Sequence, residues 1–206
     1  MIRKLCMYAD LTVTSMAVPD KYNDMSETET AVFAGGCFWC IEAVFDRLSG
    51  VRSVVPGYTG GRTKAPTYES VCSGTTGHAE AVRIEFDPSI ISYEELLTIF
   101  FSIHDPTTLN RQGPDIGSQY RSAIFYINDE QRETIERVIT SLEDDDIFED
   151  PIVTEISPLG TFHVAEEKHH DYYKKNPSNA YCVVQVEPKL SKLRKQFADK
   201  LVADAS

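Results

Sequence analysis

The chain carries five cysteines, Cys6, Cys37, Cys40, Cys72 and Cys182, and two of them stand as C-x-x-C in GGCFWC. A cysteine attacks as its thiolate. Its ordinary pKa of about 8.5 falls at a helix N-terminus, where unpaired N–H groups and the helix dipole favour an anion. Cys37 follows Gly35–Gly36, where a strand is expected to turn into a helix, and Cys40 lies one turn on, facing the same side. C-x-x-C at a helix start is a redox or a metal signature. A structural zinc site needs about four ligands. No second C-x-x-C follows, and the adjacent His169 and His170 point apart on a helix, so zinc is the weaker reading. Trp39, the single tryptophan, sits between the two cysteines beside Phe38. An exposed aromatic pair there would form a hydrophobic cup, and a methyl on sulfur would suit it, because sulfur makes favourable contacts with aromatic rings.

These residues need elements to hold them. AVFAGG (31–36) reads as a short buried strand, and CFWCIEAVFDRLSG as a helix with Phe38, Ile41, Val44, Phe45 and Leu48 at helical spacing and Gly50 as its stop. VRSVVPGYTGG (51–61) and AEAVRIEFDP (79–88) read as strands. Ser92 and Glu95 make a capping box for a helix over 92–105. A strand over 119–128, an amphipathic helix after it, a strand over 151–159, a short helix HVAEEKHHDYYKK and a last strand YCVVQVEP (181–188) complete the pattern. The order predicts an α+β fold, a mixed or antiparallel sheet with helices packed on it, near the split βαβ plan.

Composition excludes several classes. The 206 residues suffice for one domain with tails, and residues 1–28 read as a flexible N-terminal tail before a single domain over 29–206. All four methionines, Met1, Met7, Met16 and Met25, fall in that tail. A net charge of −12 without a Lys/Arg run argues against nucleic acid and anionic membranes as partners. No apolar run is long enough to span a membrane. An odd cysteine count at irregular spacing points to a reducing compartment, and the N-terminus lacks the apolar core of a secretory signal, so the cytoplasm is the expected location.

Several long motifs, AVFAGGCFWCIEAVF, PGYTGG, PTYESVCSGTTGHAEAVRIEFDP, FFSIHDPTTLNRQGPDIGSQYRSAIFY and NPSNAYC, occur in an order that resembles the A-type peptide methionine sulfoxide reductases. The resemblance runs from about residue 31 to 198. It implies a two-layer α+β sandwich around a ferredoxin-like core, no metal or organic cofactor, and a monomer that reduces the S-epimer of methionine sulfoxide in oxidised proteins or peptides. It makes Cys37 the nucleophile, Glu80 in GHAE the general acid, Tyr68 and Tyr120 the donors to the sulfoxide oxygen, and Phe38 and Trp39 the methyl pocket. Asp115 falls in the site's hydrogen-bond network, and Tyr172 near a further aromatic with an offset of one residue. Sulfoxide reduction needs this equipment, since the oxygen leaves only when protonated. Glu80 can supply the proton near pH 7 only if an apolar site raises its pKa.

The sulfenic acid left on Cys37 must then condense with a second thiol, and an external dithiol such as thioredoxin must restore the pair. Many family members have Gly at the position of Cys40 and use cysteines in a C-terminal tail. Cys182 matches the first tail position, but VVQVEPKLSKLRKQF replaces the Gly-rich tail and its second cysteine. Cys40 and Cys182 are both candidates. Local spacing favours Cys40, and Cys72, within an apolar segment, reads as structural. A general thiol–disulfide oxidoreductase and a non-enzymatic ferredoxin-like module are the competing readings of the residues alone.

Overall fold

The computed structural model describes residues 28–202, so Cys6, the methionines and almost all of the expected tail lie outside the described residues. Strand β1 (Glu29–Gly35) enters helix α1 (Phe38–Phe45), followed by β2 (Val51–Thr59), a short helix α2 (Tyr68–Cys72), β3 (Ala79–Phe86) and α3 (Tyr93–Ile103). A small hairpin, β4 (Arg111–Gln112) with β5 (Asp115–Ile116), precedes β6 (Ser122–Tyr126) and α4 (Asp129–Asp144). Then come β7 (Glu155–Pro158), β8 (His163–Val164), α5 (Tyr172–Lys175) and α6 (Glu187–Gln196).

The main sheet runs β7-β6-β1-β3-β2-β8. All its pairings are antiparallel except β6 with β7. Its central strands, β6-β1-β3-β2, with α1 and α3 as the crossover helices, are the split βαβ arrangement of a ferredoxin-like core. The α+β expectation therefore holds. One face carries Phe33, Val82, Ile84 and Ile124 and is covered by apolar residues of α1, α3, α4 and α6. The other is lined by small residues, Ala34, Ala79, Ala81 and Ala123, with Phe125, against Leu159 and Phe162. The capping box forms as expected: Ser92 Oγ accepts from the Glu95 N–H at 3.2 Å, and Glu95 Oε2 accepts from the Ser92 N–H at 2.8 Å.

Three expectations need correction. The last strand over 181–188 is instead a π-helical turn, Cys182–Val186, running into α6. Its buried residues, Cys182 and Val186, continue into Leu190 and Leu193, which is helical spacing, so burial along one face overrides the local strand-forming valines. Pro188 near the start of α6 has no N–H to donate, and a widened turn immediately before it tolerates that loss. The expected helix over 163–175 is divided into β8, a 3₁₀ turn at Glu167–His169 and α5. Asp171 breaks it with φ of 51°, its N–H going to Glu42 Oε1 at 2.8 Å. Finally, Tyr120 closes a 3₁₀ turn, Ser118–Tyr120, ahead of β6 and does not lie in the strand. Among the described residues, no helix is long and apolar enough to cross a membrane.

Candidate active site

The junction of β1 and α1 is built by its two glycines. A Cβ on Gly35 would lie 2.8 Å from Phe100 Cε2 on α3, and Gly36 adopts φ of +94° with its missing Cβ only 2.6 Å from Gln112 Cγ. A side chain at Gly36 would cost about 1–3 kcal/mol in backbone strain alone. The chain then turns so that Cys37 caps α1, with the Cys40 N–H donating to the Cys37 carbonyl at 3.0 Å.

Glu80 comes to this helix start from β3, opposite Tyr58 of β2. Its Oε2 accepts the Phe38 N–H at 3.1 Å, occupying one of the unpaired donors at the head of α1. The carboxyl is 1% exposed. Burial pushes its pKa up to about 8, against a smaller opposing effect from the Phe38 N–H, so near pH 7 it is mainly the protonated acid. Asp115 and Cys40 add to the rise.

The expected drop in the Cys37 pKa is not what this geometry gives. Burial pushes the thiol well above its ordinary value, aided by its hydrogen bond with Cys40 and by negative charge on Glu80, while the Tyr181 hydroxyl pulls it down. Cys40 moves the other way. The hydrogen bond from Cys37 lowers it most, and Lys189 and Tyr181 lower it further. Desolvation thus outweighs the helix start at Cys37.

The tyrosines surround this pair. Burial and a hydrogen bond with Cys72 raise the Tyr68 phenol, and burial and the charges of Glu80 and Cys72 raise that of Tyr120, so both are neutral donors at any ordinary pH. Cys72 lies against both hydroxyls, a polar setting that the expectation of a structural thiol did not include. Glu166 joins the surrounding elements, accepting from the Tyr68 N–H and the Tyr58 hydroxyl, both at 2.9 Å.

Phe38 is 1% exposed, so the expected exposed aromatic pair is corrected. The ring sits under Trp39, and Trp39 is the half-buried member. Trp39 stacks on Tyr172 with centroids 3.7 Å apart and planes 8° from parallel. Tyr68 and His169 complete the aromatic cluster, their rings 4.2 Å apart. Glu42 of α1 holds Tyr172 in place by accepting the N–H groups of Asp171 and Tyr172, at 2.8 and 3.4 Å. Among the described residues, Trp39 Nε1 and both His169 ring nitrogens are buried without a hydrogen-bond partner.

Asp115 accepts from the Tyr181 hydroxyl at 2.6 Å. Tyr181 links this carboxylate to both cysteines, yet it carried no signal of its own beyond its place in NPSNAYC. With Gln112, Gln185 and Lys189, these groups line a cavity of about 30 Å³, large enough for a water. Cys182 lies close enough to Cys40 for their charges to interact, but it is wholly buried. A far larger cleft, about 610 Å³ and lined by Arg62, Lys64, His78, Phe125 and His163, contains none of these residues. Among the described residues, no group of three or more His, Cys, Asp or Glu side chains could hold a metal ion.

Residues 29–201 match the family model described as peptide methionine sulfoxide reductase. The chain belongs to this family. It is 54% identical over 174 residues to the peptide methionine sulfoxide reductase MsrA of Natronomonas pharaonis, covering 84% of this chain and 98% of that one. The MsrA of Deinococcus radiodurans is 56% identical over 173 residues, 84% of each chain. Among solved structures, reduced Mxr1 of Saccharomyces cerevisiae superimposes with a TM-score of 0.70 at 33% identity, covering 79% of this chain and 93% of that one. Methionine sulfoxide reductase A of Corynebacterium diphtheriae gives a TM-score of 0.65 at 37% identity over 73% and 76% of the two chains. The two solved reductases share this fold over those spans.

Proposed function

We propose that this reductase converts the S-epimer of methionine sulfoxide, in proteins and peptides and as the free amino acid, to methionine, with Cys37 as nucleophile and Glu80 as general acid. The observation that carries this reading is the buried Glu80 carboxyl, protonated near neutral pH, bound to the N–H next to the Cys37 residue. A neutral Glu80 removes one of the charges that hold the Cys37 thiol up, and it has a proton to give. Cys37 attacks the sulfoxide sulfur while Glu80, Tyr68 and Tyr120 donate to the oxygen. An S–S bond forms as the S–O bond breaks and the protonated oxygen leaves as water. Water then adds to Cys37 Sγ, the S–S bond breaks, methionine leaves, one proton is returned, and Cys37 is left as a sulfenic acid. The substrate's two-electron reduction is balanced by the oxidation of Cys37. Trp39 and Phe38 hold the methyl group, and the Asp115–Tyr181 pair orders the polar side of the site.

Cys40 resolves the sulfenic acid. Its hydrogen bond with Cys37 and its lowered pKa support this order over Cys182, whose thiol is raised by burial. An external dithiol of the thioredoxin kind reduces the resulting disulfide, so the scheme calls for no metal or organic cofactor. Residues 29–206 act as one monomeric catalytic unit, and protein repair in the cytoplasm under oxidative stress is the setting that fits this chemistry.

The test offers each sulfoxide epimer separately to reduced protein and to Cys37→Ser. The parent protein should form methionine from the S-epimer alone, and Cys37→Ser should form none. Methionine production by Cys37→Ser, or equal use of both epimers, would overturn the assignment.

A further inference from the structure

Lys189 lies outside the residues assigned to the reduction step, yet it reaches the cysteine pair from the C-terminal helix. It stands in the first turn of α6, the helix that occupies the place of the family's Gly-rich tail. Its ammonium donates to the carbonyl of Ile103, the last residue of α3, so the C-terminal end of that helix anchors it. It lines the small cavity together with Cys37, Cys40, Asp115, Tyr181 and Gln185. No carboxylate is within ion-pair distance of it among the described residues, whereas Lys168 has one and Lys174 and Lys200 have two each.

We infer that Lys189 is a positioning residue for the resolving step, its charge holding Cys40 as the thiolate that attacks the Cys37 sulfenic acid. The inference rests on Cys40 being the resolving thiol. Balanced, the step is the attack of the Cys40 thiolate on Sγ of Cys37. The S–S bond forms, the S–O bond of the sulfenic acid breaks, and the departing hydroxide takes a proton from solvent. Cys40 is oxidised and the Cys37 sulfur is reduced, each ending as half of the disulfide.

The surroundings of Cys40 contain both signs of charge. Cys37 on its own segment, Glu80 on β3, Asp115 on β5 and the Cys182 thiol all act on it or respond to it. Of these, Asp115 opposes its ionisation, and so does any charge on Glu80 or Cys182. Tyr181 donates to it, and Lys189 is the cation that favours its thiolate. Burial lowers the Lys189 pKa and Lys192 adds to that, while the two cysteines and Asp115 pull it back up, so the charges of Lys189 and Cys40 support each other. Helix α6 thus supplies a cation where the replaced tail would have supplied a thiol.

The experiment follows one turnover of reduced full-length protein with an S-sulfoxide peptide and no reductant. Rapid quenching measures methionine formed and, by mass spectrometry, the disulfide that follows; dimedone traps any persistent sulfenic acid. Lys189→Met should slow disulfide formation about tenfold, slow the methionine burst by less, and move the pH profile of disulfide formation up by about one unit. Lys189→Arg should restore most of the rate, and Lys192→Met, on the exposed side of α6, should match the parent. Equal disulfide rates in Lys189→Met and parent, or equal slowing by Lys192→Met, would overturn the role of Lys189. A parent disulfide between Cys37 and Cys182 would instead overturn the Cys40 assignment on which it rests. Should Lys189→Met fail to fold, alkylation of Cys40 in Cys37→Ser against Cys37→Ser/Lys189→Gln reads the same charge. A higher alkylation midpoint in the double variant is expected, and an unmoved one would contradict it.

Discussion

Two segments of this molecule place a cysteine at the head of a helix; burial raises both thiols, but the groups around each sulfur differ. At the β1–α1 junction, Gly35 and Gly36 let the backbone press against Phe100 and Gln112, and Cys37 emerges among Glu80, Cys40 and Tyr181. At the start of the π-helical turn, Cys182 shares an apolar face with Val186, Leu190 and Leu193, and burial dominates its thiol. A helix start alone therefore does not make a reactive cysteine. What separates the two is the supply of polar partners that can move a proton or hold a charge.

Substitutions should make that contrast sharper or remove it. The largest effect belongs to Cys37→Ser, which should abolish methionine formation in a single-turnover assay. Glu80→Gln follows, with a loss of about 10²–10⁴-fold in the same assay. In the parent protein the first step should fade as pH rises through about 8, where Glu80 gives up its proton, and that limb should vanish in Glu80→Gln.

The same group marks stability. Glu80 ionises near 4.5 when unfolded and near 8 in the fold, so its contribution is complete below about 4.5 and is lost as pH rises through about 8. Glu80→Gln should therefore gain on the parent as pH is raised, by about 5 kcal/mol in denaturant titrations at alkaline pH. Cys40→Ser should form one methionine and then stall as a trappable sulfenic acid, while Cys182→Ser should keep thioredoxin-driven turnover. The smallest effect is Cys182→Ala, a loss of about 1–2 kcal/mol in denaturant titration with little change in rate, as befits a packed sulfur.

The sequence made the β1–α1 half of this contrast readable and hid the other. Periodicity and the Gly pair located β1, α1, β2 and β3, because burial there follows the simple periods of strand and helix. The same rules failed at 181–188, where adjacent valines mimic a strand and only the buried spacing of Cys182, Val186, Leu190 and Leu193 reveals a helix. The raised Glu80 pKa could be anticipated from its apolar strand, since desolvation is local. The raised Cys37 pKa could not, because its largest cause is burial, which elements far apart along the chain impose, with the charge of Glu80 on β3 adding to it. Glu42, Glu166, Tyr181 and Lys189 escaped for the same reason: each acts through a partner distant in sequence.

On the proposed scheme, the paired cysteines of the β1–α1 junction carry the whole redox step within this chain. Mass spectrometry of protein stopped after one turnover, without external reductant, tests it most directly. A disulfide joining Cys37 to Cys40, with Cys182 still a free thiol, is the predicted result. A Cys37–Cys182 bond with Cys40 free would contradict it and make the buried segment the working partner.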